Sequence, residues 1–218
     1  MIRAREAAVI SFGGGVMTGK FRFGAVIPAA GLSSRMGGFK PLMPFAGQTI
    51  IESSVGSAMP YAATAAAVVG YRGGEVAEVL RRRFGSRLAI VENPDFSSTD
   101  MLRSVQLGLR AMGECDAFFL LPADMPLISP KVYEKLIAAF DDSVDVIYPA
   151  FGGRRGHPPL IHARLIPKIL GYEGEGGLRA ILGNCTAKEI EIPDRGILAD
   201  LDTPQDYAAL NSGKTEPA

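Results

Sequence analysis

The stretch AVIPAAGLSSRMGGFKPL, residues 25–42, combines small residues and cations in a pattern suited to phosphate chemistry. An apolar run opens there into a loop holding Ala29, Ala30, Gly31, Ser33, Ser34, Gly37 and Gly38. Small side chains let backbone N–H groups come close to phosphate oxygens. Arg35 and Lys40 add positive charge where a departing pyrophosphate gathers negative charge. A glycine-rich surface turn with two solvated cations has the same composition, and loop glycines alone do not decide between the two. Further on, FFLLPADMPLISP (118–130) runs an apolar strand into Asp124. A carboxylate at a strand end can hold Mg²⁺ against phosphate oxygens, although a turn or capping aspartate fits the same place. GGVMTGK (14–20) satisfies G-x-x-x-x-G-K, but Phe21 stands where Ser or Thr would bind metal and a strand follows instead of a helix, so it is rejected as a nucleotide site.

Such residues need a scaffold that gathers loops at one edge, and the rest of the chain supplies the pattern for one. Compact apolar runs at 24–29, 64–70, 87–93, 116–124 and 144–150 alternate with helix-spaced segments at 49–59, 73–84, 100–112 and 129–140. Asp100 and Ser129 stand at N-cap positions, with Pro130 fitting the first helical turn. The expected fold is α/β, a Rossmann-like three-layer sandwich with a mostly parallel sheet. Ligand loops in such folds follow the C-terminal ends of the strands. After Ala150 the alternation weakens. FGGRRGHPPLI reads as a glycine-rich turn into a short strand, LIPKIL and GGLRAIL as short helices, KEIEI and ILADLD as strands, and PQDYAAL as a last helix. The expected organisation is an N-terminal extension outside the fold (1–16), a single domain (17–211) and a frayed tail (212–218).

Composition narrows the function classes. With 47% hydrophobic residues and 21% charged ones, a substantial core is expected. Lys+Arg and Asp+Glu are 23 each, so no broad basic field points to nucleic acid. Cys115 and Cys185 have neither C-x-x-C spacing nor paired histidines nearby, which favours reduced structural thiols over a zinc site. No apolar run reaches the roughly 18 residues of a membrane span, and a cytoplasmic location is expected.

PAAGLSSRMGGFKPL (28–42) resembles the signature L-A-A/G-G-x-S-x-R-M-G-x-x-K of the molybdenum-cofactor nucleotidylyltransferase family, with Pro28 in place of Leu. The resemblance runs from about Gly24 to Leu210, and later motifs follow in order. Ala123-Asp124-Met125-Pro126 is similar to the family's G-D-M-P, with Ala for Gly. ADLDTPQDY (199–207) resembles its closing D-x-D/N-T-P-x-D, which implies Asp202 as a metal ligand opposite Asp124, with Asp200 and Asp206 in orienting or capping roles. An Asp-Thr-Pro stretch is also a common helix start. NPDFSSTDMLRSVQLGL (93–109) is similar to the segment contacting base and ribose, which implies Asn93 and Ser104, with Met101 less secure, while Ser98 to Asp100 also read as an ordinary helix cap. GGRRGHPPLI (152–161) resembles G-x-x-G-H-P, implying that His157, Arg154 and Arg155 hold an acceptor phosphate, although a lone histidine is often structural. GEGGLRAIL (174–182) resembles a turn closing over the acceptor, with Glu175 for Asp and Arg179 as a further candidate there.

The resemblance implies a fold of the nucleotide-diphospho-sugar transferase type and a Mg²⁺-dependent transfer of a nucleoside monophosphate from an NTP to a small phosphorylated acceptor, releasing pyrophosphate. Ala29-Ala30-Gly31, GHP and DLDTP are closer to cytidylyl-transferring members than to guanylyl-transferring ones, which often carry A-G-G. CTP and molybdopterin are the expected substrates, with transient contact with a downstream molybdoenzyme or its chaperone. A sugar, polyol or alcohol phosphate acceptor, or a catalytically silent nucleotide-binding module, remain the alternatives. A Rossmann dehydrogenase is disfavoured, because no G-x-G-x-x-G follows the first strand and the nearest acidic residue, Glu52, falls inside a helix.

Overall fold

The computed structural model describes residues 9–12, 15–18, 21–31, 39–200 and 207. Two antiparallel strands, β1 (Val9–Phe12) and β2 (Gly15–Thr18), pair with each other and with no other strand among the described residues. This hairpin straddles the boundary expected at residue 16. The main sheet begins at β3 (Phe23–Ala29). A small hairpin, β4 (Pro44–Phe45) and β5 (Gln48–Thr49), leads into α1 (Ile50–Ala58). Then follow β6 (Thr64–Val69), α2 (Gly73–Phe84), β7 (Ala89–Glu92), α3 (Met101–Ala111) and β8 (Ala117–Leu120). The second half contributes α4 (Pro130–Ala138), β9 (Val146–Phe151), β10 (Arg154–Arg155), β11 (Leu160–His162), α5 (Ile166–Leu170), α6 (Gly177–Leu182) and β12 (Ala187–Glu191).

Local chemistry explains where the helices start. Thr49 and Glu52 form a reciprocal capping box on α1, Glu52 N donating to Thr49 Oγ1 at 3.3 Å and Thr49 N to Glu52 Oε2 at 2.8 Å. Asp100 caps α3 by accepting from the N–H groups of Leu102 and Arg103. Ser129 precedes α4 but makes no cap bond; its hydroxyl binds the Asp194 carboxylate instead.

Strands β7, β6, β3 and β8 lie side by side in that order, all parallel. The chain winds outward from β3 to β7 and then returns to place β8 on the other side of β3, so a crevice opens where the order reverses. Beyond β8 lies β11, antiparallel to both β8 and β9, and β12 runs parallel to β9. The reversal starts at Gly152 and Gly153, whose φ values of 58° and 73° form a two-residue turn joining β9 to β10. The sheet is therefore mostly parallel, with β11 inserted antiparallel between β8 and β9 and the short β10 antiparallel beside β9. Apolar side chains pack on both faces, with α1, α2 and α4 on one and α3, α5 and α6 on the other.

One element differs from expectation. Residues 195–198 form a 3-10 turn that takes in Ile197 and Leu198, the first two residues of the ILADLD run (197–202) read as a strand, whose last two residues lie outside the described ones. The Asp194 carboxylate accepts from Gly196 N at 2.8 Å and draws the chain into that turn. Gly196 also abuts the Leu127 carbonyl, leaving no room for a side chain. Of the expected last helix only Tyr207 is among the described residues, and it is helical. No described helix is long and apolar enough to cross a membrane.

Candidate active site

A cavity of about 260 Å³ lies in the crevice between β3 and β8. One wall is the end of β3, Pro28 to Gly31. Another is the segment after β8, Pro122 to Asp124, and the third comes from the loop after β7 and the start of α3, including Asn93, Phe96, Thr99 and Ser104. Of the phosphate-loop residues, Ala29, Ala30, Gly31 and Lys40 are described, whereas Ser33, Ser34 and Arg35 lie outside the described residues. Asp202 lies outside them as well.

Lys40 is only 6% exposed, yet it carries a charged group. Burial of an ammonium is tolerable only with a partner, and its Nζ sits 2.7 Å from Asp124 Oδ2. Lys40 opens a 3-10 turn, Lys40–Leu42, in which Pro41 follows directly and also lines the cavity. Asp124 has 31% of its side chain exposed and faces the cavity. The pair joins residues 84 positions apart, bringing the end of the phosphate loop onto the carboxylate that follows β8.

Asn93 organises the opposite wall. Its backbone N donates to Val69 O at 2.8 Å, which holds the residue at the end of β7 beside β6. Asp95 N donates to Asn93 Oδ1 at 3.1 Å and so orients the amide. Asn93 Nδ2 then donates to Thr99 Oγ1 and to Ser104 Oγ, both at 3.2 Å. The Ser104 hydroxyl, accepting one hydrogen bond, keeps its own proton to donate at the cavity wall.

His157 does not line the cavity, but it lies within electrostatic reach of Asp124. Its backbone N donates to Ile197 O at 2.8 Å, and its Nδ1 is buried with no hydrogen-bond partner among the described residues. Burial pulls its pKa below the usual histidine value, opposed by the Leu120 backbone and by the Asp124 and Asp200 carboxylates. Burial therefore favours the neutral imidazole over the charged one. Arg154 and Arg155 form β10, exposed at the end of β9, and do not line the cavity. Arg155 Nε is 2.7 Å from Glu189 Oε1, and its guanidinium lies 4.6 Å above the Tyr148 ring. Among the described residues no three His, Cys, Asp or Glu side chains gather into a metal cluster.

A family model for the MobA-like NTP transferase domain matches residues 25–190, from within β3 to within β12 and including both sides of the crevice. The chain belongs to the MobA-like NTP transferase family. It is 31% identical over 191 residues to the molybdenum cofactor cytidylyltransferase of Escherichia coli (strain K12), covering 88% of this chain and 96% of that protein. It is 32% identical over 108 residues to a probable molybdenum cofactor guanylyltransferase of Mycobacterium avium (strain 104), covering 47% of this chain and 55% of that one. Among solved structures, a nucleotidyl transferase from Methanothermobacter thermautotroptrophicus superposes with a TM-score of 0.73 at 26% identity, over 89% of this chain and 97% of that one. This member of the MobA-like family is a nucleotidyltransferase.

Sequence reasoning did not assign a binding role to Phe96, Thr99, Asp100 or Pro41, all of which line the cavity. Thr99 and Asp100 were visible only as helix-capping residues. Pro41 follows the lysine of the signature, so the phosphate loop itself pointed to it. Ala123, beside Asp124, lines the cavity and is 8% exposed.

Proposed function

We propose that this enzyme transfers CMP from CTP to molybdopterin in the presence of Mg²⁺, releasing pyrophosphate. The observation that carries this reading is the Lys40–Asp124 pair at the crevice, a cation and a carboxylate 2.7 Å apart beside a cavity walled by small residues. The acceptor phosphate oxygen attacks the α-phosphorus in line; a new P–O bond forms as the bond to the β-phosphate oxygen breaks, and pyrophosphate leaves with the electron pair. A phosphate monoester, with a second pKa of about 6, is already ionised, so no strong general base is required. Catalysis then consists of positioning and charge stabilisation.

Lys40 and Arg35 would neutralise the departing pyrophosphate. Asn93 and Ser104 would hold the base or ribose, and the backbone from Ala29 to Ser34 the phosphates. The partly exposed oxygens of Asp124 are hard donors of the kind Mg²⁺ takes, and the family resemblance assigns Asp202 as the second ligand. Bound there, the ion would supply positive charge to the phosphate oxygens. His157 would contact the acceptor as a neutral group, and Arg154 and Arg155 would reach its phosphate from the end of β9, Arg155 exchanging Glu189 for it.

Pyrophosphate release, measured with Mg²⁺, molybdopterin and each of CTP, GTP, UTP and ATP, tests the reading. Turnover with CTP alone supports it in full. Turnover with GTP alone overturns the base assignment, and turnover only when a sugar or polyol phosphate replaces molybdopterin overturns the acceptor.

A further inference from the structure

Helix α3 grips the stretch from the end of α5 to the start of α6 at two points. Midway along it, the buried Gln106 amide donates to the carbonyls of Ile169 and Tyr172, each at 3.0 Å. At its start, Asp100 spends Oδ1 on capping, accepting from Leu102 N at 3.0 Å and Arg103 N at 3.4 Å. The other oxygen lies against Gly177, the first residue of α6, where an added methyl group would stand 2.6 Å from Oδ2. Gly176 and Gly177 have φ values of 82° and 55°, a left-handed backbone that side chains resist. Within the turn, the Tyr172 hydroxyl donates to Glu175 O at 2.8 Å. Asp100 and Thr99 line the crevice cavity and also a second one of about 320 Å³, whose far side is Tyr172, Glu173 and Gly174. One carboxylate therefore belongs to the crevice wall, the first turn of α3 and the glycine turn.

We propose that Asp100 is a positioning residue that carries occupancy of the nucleotide cavity to the glycine turn at 174–177. The proposal rests on the nucleotide reading of that cavity. A helix's first turn has the fewest internal hydrogen bonds and opens most readily. A nucleotide packed against Thr99 to Ser104 holds that turn closed. Asp100, fixed by its cap bonds, then holds Gly177 in place, while Gln106 already anchors the other end of the segment. Ordering at one site lowers the ordering cost at the other, so the turn is set before the acceptor arrives.

Hydrogen exchange on the full chain, with and without Mg²⁺ and CTP, or GTP in parallel, tests this in wild type, Asp100→Ser and Gly177→Ala. Serine keeps a capping oxygen but is too short to reach Gly177; Gly177→Ala places a methyl group against Oδ2. In wild type the nucleotide slows exchange both at 99–104 and at 174–178, the latter by about fivefold or more. In Asp100→Ser the first protection persists and the second is lost, and Gly177→Ala gives the same pattern. Turn protection retained in Asp100→Ser, or absent in wild type while 99–104 is protected, overturns the coupling. If neither nucleotide protects 93–104 in wild type, the nucleotide reading of the cavity fails and the coupling falls with it.

Discussion

Lys40 is held where only a partner makes a charge tolerable, and one partner is the carboxylate that faces the cavity. Under the proposed mechanism, removing the cation takes away the 2.7 Å ion pair with Asp124 and one of the charges that would stabilise the leaving group. Lys40→Ala is expected to lower turnover on the order of 10² or more, as for loss of one preorganised charge. Pyrophosphate release, with circular dichroism to show that the fold persists, checks it; turnover near wild type would remove Lys40 from the chemistry. Asp124 was legible in the sequence because an apolar strand runs straight into it, and strand ends carry ligands in this fold class. The lowered pKa of His157 was not legible. It depends on burial near Leu120 and Ile197, which lie about forty positions away on either side and reach it only through the fold.

The helices rest on close contacts that patterning shows only in part. Gly108 lets α3 approach β3, since a methyl group there would lie 2.7 Å from Val26 Cγ1. Gly108→Ala should destabilise the protein by about 1–3 kcal/mol, as overpacking does, and should weaken nucleotide binding because Ser104 moves with the helix. Thermal unfolding and a nucleotide titration check both effects; an unchanged melting temperature would show that α3 has slack. At the opposite end of the sheet, Asp145 precedes β9 and accepts from Arg164 Nε at 2.7 Å and from Thr186 Oγ1 at 2.8 Å. These bonds, Arg164 first, hold its pKa down at about 2. An unfolded aspartate titrates near about 3.9, so the stabilisation is complete above that pH and is lost as pH falls through about 2. Asp145→Asn should be less stable than wild type at neutral pH, and the two unfolding curves should converge in strong acid. A constant gap down to the lowest pH would contradict this. Helices α1 to α4 were readable from their apolar spacing, and at α3 the expected Asp100 cap agrees with it. The 3-10 turn at 195–198 was not, because the apolar residues of ILADLD suit a strand until the Asp194 side chain and the Leu127 carbonyl impose the turn.

At the scale of the molecule, the parallel half of the sheet was legible from alternating runs, because each crossover helix returns the chain to the same edge. The antiparallel insertion of β11 was not. Its few residues carry no period, and its direction follows from the Gly152–Gly153 turn and from pairing with strands distant in sequence. The β1–β2 hairpin pairs only with itself among the described residues. Deleting residues 1–16 removes no strand of the main sheet, although β2 also lies beside Met59–Tyr61; melting temperature and turnover are expected to stay nearly unchanged, and a large loss of either would assign the hairpin a structural role. The wall residue Phe96 has a practical consequence, since the chain contains no tryptophan. Phe96→Trp would place the protein's sole indole against the crevice cavity proposed to take the nucleotide, on a background of tyrosine emission alone. Each binding and release event could then be followed by its fluorescence in real time.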